Sequence, residues 1–433
     1  MHRKMVLHID NLNDLRENLT DLARDYEYAC ILDSNRDCPL FAGNTKYSKY
    51  DLIAGFSRTG YTKIITTPEE LVTLSAEQKE WYLGFLTYDF KNKIEKLHSE
   101  NEDYLKWPTL LFFQPEILFV LKNRNLEISV APHFEWYGNI PEKLKTRHIL
   151  QENSLPANLL PRFGKGEYLS RVKHIQELIH KGDIYEVNFC QEFYDHIHFD
   201  SYRGYIDLNR KLPSPFSAFL RTADKYLLCA SPERFLCKRN DLLISQPIKG
   251  TIQRGSNYEE DEILINKLRN SRKERSENVM IVDLVRNDLS RVAKQGTVKV
   301  SELCGIYTFP LVHQLISTVE ARTKTHSFDE IIRATFPMGS MTGAPKIEAM
   351  CVIEHFEVVK RGLYSGSVGY IDPDGNFDFN VVIRSLQYNA RDQYLSYMAG
   401  SAITALSNPE KEYEECLLKV YGMNASLHNV GYA

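Results

Sequence analysis

The sequence has no apolar run able to cross a bilayer. Its most apolar stretch, residues 107–121, is broken by Pro108, Pro115 and Glu116, whereas a spanning helix needs about 20 largely apolar residues. Neither charge dominates: 53 Lys and Arg face 57 Asp and Glu, a formal net charge of −4, which excludes nucleic-acid binding by bulk positive charge. Cysteine pairs are also missing. The eight cysteines, at 30, 38, 190, 229, 237, 304, 351 and 416, form no Cys-x-x-Cys and no zinc-like spacing with His. Such scattered thiols are expected to be free, to pack as small hydrophobes, and to fit a reducing cytoplasm. The opening Met-His-Arg-Lys-Met-Val-Leu-His-Ile-Asp is too short in apolar residues for a secretory leader. No repeat, low-complexity tract or Gly-x4-Gly-Lys-Ser/Thr phosphate loop occurs. A cytoplasmic protein without membrane or nucleic-acid partners is expected.

Aromatic residues are plentiful, with 25 Tyr and 21 Phe in 433 residues, which excludes a disordered chain. Asn, Pro and Gly cluster at 152–166 and predict a boundary there, with 1–155 as an N-terminal subdomain and 160–433 as the remainder. Beyond it Leu169, Val172, Ile175 and Ile179 recur at helical spacing until Gly182. Strand-like segments occupy 109–120, 216–221, 225–229 and 242–248, and Asn257 with Glu260 predicts a capping box. Helices and strands alternate without a βαβ rhythm, so an α+β fold with largely antiparallel sheets is expected.

Carboxylates stand where helices should be apolar. Glu277, Met280, Ile281 and Leu284 share one helical face, and Glu274 lies a turn earlier on it. A second helix is predicted from Asn408 as N-cap and Pro409 as first residue, on which Glu412, Glu415 and Lys419 align. These are either two solvated acidic faces or the walls of a pocket for a hard divalent cation, Mg2+ by ligand type. Residues 336–346 run from a Gly/Ser/Thr loop into a helix predicted to begin at Pro345, either an anion site or simply a helix start. Lys249 ends an apolar strand in Gln246-Pro-Ile-Lys-Gly-Thr251. It either reaches out to water or, desolvated, has its pKa lowered and its amine freed as a nucleophile.

In this order the segments resemble the chorismate-utilising enzymes. The matching runs are Gly182-Asp-Ile-Tyr-Glu-Val-Asn188, Ser231-Pro-Glu-Arg-Phe235, Pro247-Ile-Lys-Gly-Thr251 and residues 277–288. They continue through Gly339-Ser-Met-Thr-Gly-Ala-Pro-Lys346, Ser365-Gly-Ser-Val-Gly-Tyr370, Phe379-Asn-Val-Val-Ile-Arg384 and Ser407-Asn-Pro-Glu-Lys-Glu-Tyr-Glu-Glu415. The resemblance is dense over 167–420 and faint in the first 150 residues.

The resemblance implies two large antiparallel sheets packed as a sandwich with helices outside, as in anthranilate synthase component I. It makes 160–433 the chorismate-binding catalytic region, with the active site between the sheets. It implies that Glu277 and Glu415 hold Mg2+, backed by Glu274 and Glu412, and that the metal holds the ring carboxylate. Arg384 and Tyr370 would clamp the enolpyruvyl carboxylate, a bidentate task suited to guanidinium. Ser340, Gly343, Gly400 and Lys419 would be further substrate contacts.

Lys249 separates branches of the family. Anthranilate, salicylate and isochorismate synthases carry alanine there, and the aminodeoxychorismate synthase branch carries lysine. In that branch the amine attacks ring C2 while the C4 hydroxyl leaves, and ammonia then attacks C4 and expels the lysine. The implied product is 4-amino-4-deoxychorismate, on the way to 4-aminobenzoate and folate. Glu233 is the implied general acid for the departing hydroxyl, which requires a raised pKa. The alternative within the family is anthranilate synthesis, amination at C2 with loss of pyruvate.

Two departures stand out. Glu186 replaces the family's usual Gln, either keeping a hydrogen bond or helping to deprotonate incoming ammonium. Gln314 replaces a usual His, and the adjacent His313 would face the other side of a strand. The sequence has no Gly-x-Cys-x-Gly glutaminase elbow, so the resemblance implies that a separate glutamine amidotransferase subunit supplies the ammonia.

Overall fold

The computed structural model describes residues 3–38, 46–60, 62–74, 79–132, 140–144 and 158–427. Two sheets, of 12 and 10 strands, carry the fold, and their ladders are antiparallel. The expected α+β class holds. Period-two alternation assigns each strand's two faces. In the larger sheet Ala29, Ile31, Phe219 and Leu228 join the core beneath the outer helices. Their neighbours Cys30, Ala218, Leu220 and Leu227 join Leu83, Phe85, Leu111 and Phe113 of the other sheet. The second face of the smaller sheet is covered by Ile281, Val282 and Val285 of helix Arg272–Ser290 and by Phe328, Ile331 and Ile332 of helix Phe328–Thr335.

The strand-like run expected at 109–120 is two strands belonging to different sheets. Leu110–Phe113 pairs in the smaller sheet and Ile117–Lys122 in the larger. Pro115 removes a ladder donor at the crossing. Segments of the first 130 residues enter both sheets: Tyr28–Asp33 pairs with Phe216–Thr222, and Tyr82–Leu86 with Ser367–Ile371. The boundary expected at 152–166 lies partly outside the described residues. From 158 onward the chain runs through Leu160–Pro161 into helix Lys165–Lys181, which Gly182 ends at φ 89°.

Two other crossings decide where the chemistry sits. The chain passes from Lys225–Ser231 in the larger sheet to Arg234–Arg239 in the smaller, and returns from Phe377–Asn380 to Ser385–Asn389. These crossings lie side by side. The Val381 amide donates to the Glu233 carbonyl and the Ala230 amide to the Arg384 carbonyl, both at 3.0 Å.

Local expectations need two corrections. Asn257 caps helix Tyr258–Asn270 through the Glu260 amide, but the Glu260 carboxylate bonds Ser256 instead of closing the box on Asn257. The helix expected at Pro345 begins at Lys346, with Pro345 as its uncapped N-cap. The Thr342 and Ala344 carbonyls of the preceding loop accept from the Asn188 and Tyr185 amides, so that segment is strand-pinned.

Candidate active site

Glu233 and Arg384 stand on the two adjacent crossings. Ser340 Oγ, from the short turn Gly339–Met341, donates to Glu233 Oε1 at 2.7 Å. The Ile248 amide points to the same oxygen at 3.5 Å, bringing the residue before Lys249 against the acid. Burial raises the Glu233 carboxyl to about 7, although the Ser340 hydrogen bond, Lys249 and Arg384 act against the rise. A carboxyl poised there can give up a proton near neutral pH. A small cavity beside it is lined by Glu233, Ser340, Gly339, Pro247 and Asp288.

Arg384 occupies left-handed backbone at φ 50°, an uncommon conformation for a long side chain. Burial pulls its pKa down, and Tyr397 and Glu233 only partly counter this. Among the described residues no carboxylate pairs with its guanidinium. It is therefore a half-buried cation suited to an external carboxylate.

Lys249 lies on Ile248–Gln253, which pairs with Val312–Arg322. Its Nζ is 2.9 Å from Glu186 Oε1; Glu186 is buried and Lys249 mostly so. The expectation of a lowered lysine pKa is corrected. Burial does favour the neutral amine, but Glu186, and then Glu277 and Glu233, outweigh it and raise the pKa. The resting nitrogen is an ammonium.

Carboxylates gather beside it. Glu277 is buried on helix Arg272–Ser290, and its Oε1 has no hydrogen-bond donor. Burial lifts Glu277 to about 7, with Glu186 and Glu274 adding to the rise against Lys249 and Lys273. Glu274 is also raised, by burial and by Glu415. Gly250, at φ 95°, leaves room for Glu274, whose Oε2 would be 3.2 Å from a Cβ at 250. On helix Pro409–Leu427, Glu412 is buried and Glu415 half exposed. Lys273 lies 3.9 Å from Glu277 Oε1 and 4.0 Å from Glu412 Oε1, linking the two helices loosely. Among the described residues no three His, Cys, Asp or Glu side chains converge as a ready ligand set. Even so, the donor chemistry fits a hard cation. Glu277 has an orphaned buried oxygen, and repelling carboxylates surround it.

Lys419 Nζ bonds the Gly400 carbonyl at 2.6 Å and Glu415 Oε1 at 2.8 Å. Gly400 faces Cys190 across the ladder, and a Cβ there would fall 2.3 Å from Cys190 Sγ. At Gly343 a Cβ would fall 2.1 Å from the Glu186 carbonyl. Both glycines permit close strand approach.

Tyr370 is not brought to Arg384. The pleat of Ser367–Ile371 turns Val368 and Tyr370 into the core between the sheets. There Tyr370 packs 5.7 Å from Tyr50 and 5.9 Å from Trp81, and it lines a separate cavity with Asp33, Ser34 and Lys49. The phenol within electrostatic reach of Arg384 is Tyr397, whose hydroxyl donates to the Lys419 carbonyl at 3.2 Å. The sequence analysis did not single it out, and in the structure it alternates onto one core face with Leu395 and Ala399. Tyr364, 3.5 Å from Cys190 Sγ, was missed just ahead of a matching run. Gln314 Nε2 donates to Thr251 at 3.2 Å, and its Oε1 is buried without a partner. His313 faces away and bonds Asp261 at 2.9 Å.

A buried acid, a guanidinium with no carboxylate partner among the described residues, a lysine and carboxylates on two helices mark an enzyme for a small polyanion. The chain belongs to the chorismate binding enzyme family, which it matches over residues 29–425. It is 35% identical over 350 residues to aminodeoxychorismate synthase component 1 of Klebsiella aerogenes, spanning 80% of this chain and 76% of that protein. It is also 33% identical over 422 residues to anthranilate synthase component 1 of Saccharolobus solfataricus, spanning 94% and 95%. The crystal structure of anthranilate synthase component I from Streptococcus pneumoniae shares the fold, with TM-score 0.75, 22% identity, and coverage of 98% of this chain and 92% of that one. Among the described residues no helix is long and apolar enough to cross a membrane.

Proposed function

We propose that the chain aminates chorismate at C4, giving 4-amino-4-deoxychorismate from ammonia. The observation that carries this reading is the mostly buried Lys249, whose charge acts on Glu233 in the site. Lys249 attacks ring C2 while Glu233 donates its proton to the leaving C4 oxygen; ammonia then displaces Lys249 by attacking C4. Arg384 holds one substrate carboxylate through paired N–H donors. Ser340 orients the acid, and Lys419 adds positive charge beside Gly400. Glu277 and Glu415, with Glu274 and Glu412 behind them, would hold Mg2+, which when bound supplies charge for the second carboxylate. The component 1 names of relatives support a partner that delivers ammonia, and a separate glutamine amidotransferase subunit fits that role. The product would feed 4-aminobenzoate and folate synthesis, in the cytoplasm.

The similarity to the Saccharolobus anthranilate synthase covers nearly the whole chain, so chain-wide likeness alone does not choose the amination site. Incubation with chorismate, Mg2+ and ammonium, followed by product identification, does. Aminodeoxychorismate is expected, and anthranilate or isochorismate would refute the proposal. Lys249→Ala should still bind chorismate and lose most amination.

A further inference from the structure

We infer that Glu186 is the proton acceptor that converts Lys249 into a nucleophile. This rests on the C4-amination reading. Glu186 opens strand Glu186–His196, and the pleat turns it, with Asn188 and Cys190, toward the smaller sheet. Lys249 reaches it from that other sheet, Nζ to Oε1 at 2.9 Å. The second carboxylate oxygen, Oε2, is buried with no hydrogen-bond donor. The backbone bearing the carboxylate is held on both sides: Glu186 pairs with Ala344, and Val187 with Gly343 and Ile403.

An ammonium has no lone pair, so attack on carbon requires that one proton leave first. Five carboxylates bear on Lys249. Glu186, Glu277 and Glu233 act on it most strongly, and Glu274 and Glu415 feel its charge. Only Glu186 forms an ion pair with Nζ among the described residues. Glu233 has its own proton to deliver. In the first step one Lys249 proton passes to Glu186. The freed lone pair then forms the C2–N bond, the ring double bond shifts, the C4–O bond breaks, and the Glu233 proton completes a water. In the second step ammonia forms the C4–N bond and the C2–N bond breaks. Lys249 then regains its proton from Glu186, and Glu233 takes one from the new C4 ammonium. The sum is chorismate plus ammonia giving aminodeoxychorismate plus water.

The test compares wild type with the isosteric Glu186→Gln. Formation of the Lys249 adduct is followed by peptide mass spectrometry with ammonia omitted, and steady-state amination with ammonium salts is followed between pH 7 and 9. The variant is expected to keep its melting temperature and a chorismate KM within about twofold. Its adduct should form roughly 10²–10⁴-fold more slowly, with a rate nearly level above pH 7, because growing deprotonation of Lys249 by solvent offsets the loss of the Glu233 proton, whereas the wild-type rate falls there. An adduct rate and pH profile equal to wild type would overturn the role of Glu186 and leave C4 amination standing. A wild type that yields anthranilate or isochorismate would overturn the amination reading, and this inference with it.

Discussion

Ser340 Oγ donates a 2.7 Å hydrogen bond to Glu233 Oε1, and it acts on that carboxyl against burial. Burial holds the acid at about 7, and the hydroxyl stabilises the charged form and keeps it from rising further. The rate should therefore fall as pH rises through about 7, where the acid loses its proton. Ser340→Ala should move that alkaline limb to higher pH. Glu233→Gln should remove the limb and lower kcat by roughly 10²–10⁴. A limb unmoved in Ser340→Ala would separate it from Glu233.

Raised carboxyl pKa values also govern stability. Glu233 and Glu277 sit at about 7 in the folded chain against an ordinary 4.5, so the native state binds these protons more tightly than the unfolded one. Their contribution is complete below about 4.5 and is lost as pH rises through about 7, on the order of 3 kcal/mol for each. Metal-free protein should melt lower at pH 8 than at pH 6.

Mg2+ held at Glu277, as proposed, would require its charged form, so the stabilisation it adds should be larger at pH 8 than at pH 6. At about 100 times its Kd it should add about 2.7 kcal/mol, and Glu277→Gln should abolish most of this gain. Scanning calorimetry with and without Mg2+ measures it. Equal gains at both pH values, or in the variant, would count against the site.

Arg384→Lys keeps a positive charge and loses the paired donors. A chorismate KM about 10–100-fold higher is expected, matching the roughly 1.5–3 kcal/mol of a charged hydrogen bond. An unchanged KM would mean that the guanidinium does not hold the substrate.

Gly400→Ala would put a Cβ 2.3 Å from Cys190 Sγ and 2.4 Å from the Phe189 carbonyl. Denaturant melts should register a loss of about 1–3 kcal/mol. Adding Cys190→Ala should recover only part of it, because the backbone clash remains. Full recovery would assign the whole effect to the thiol.

The sequence carried the helix ends well, because Gly182, Asn408 and Pro409 act locally. It also placed Glu277 and Ile281 on one side of a helix, but left open whether that carboxylate was solvated or buried. It failed where contacts are nonlocal. The lowered pKa expected of Lys249 reversed because Glu186 arrives from the other sheet, which no spacing along the chain reveals. Tyr370 went astray because a matching run fixes residue types and the pleat decides which face each takes. The split of 109–120 between two sheets likewise depends on partners distant in sequence.

The paired crossings at Glu233 and Arg384 behave as a rivet through the two sheets. The backbone bonds from Val381 to Glu233 and from Ala230 to Arg384 tie the two crossings together, and amides held this way between sheets are expected to exchange slowly. Warming can loosen helix ends and surface loops while the acid and the guanidinium keep their relative positions. Thermal inactivation should therefore track the melting of the sheets and not precede it.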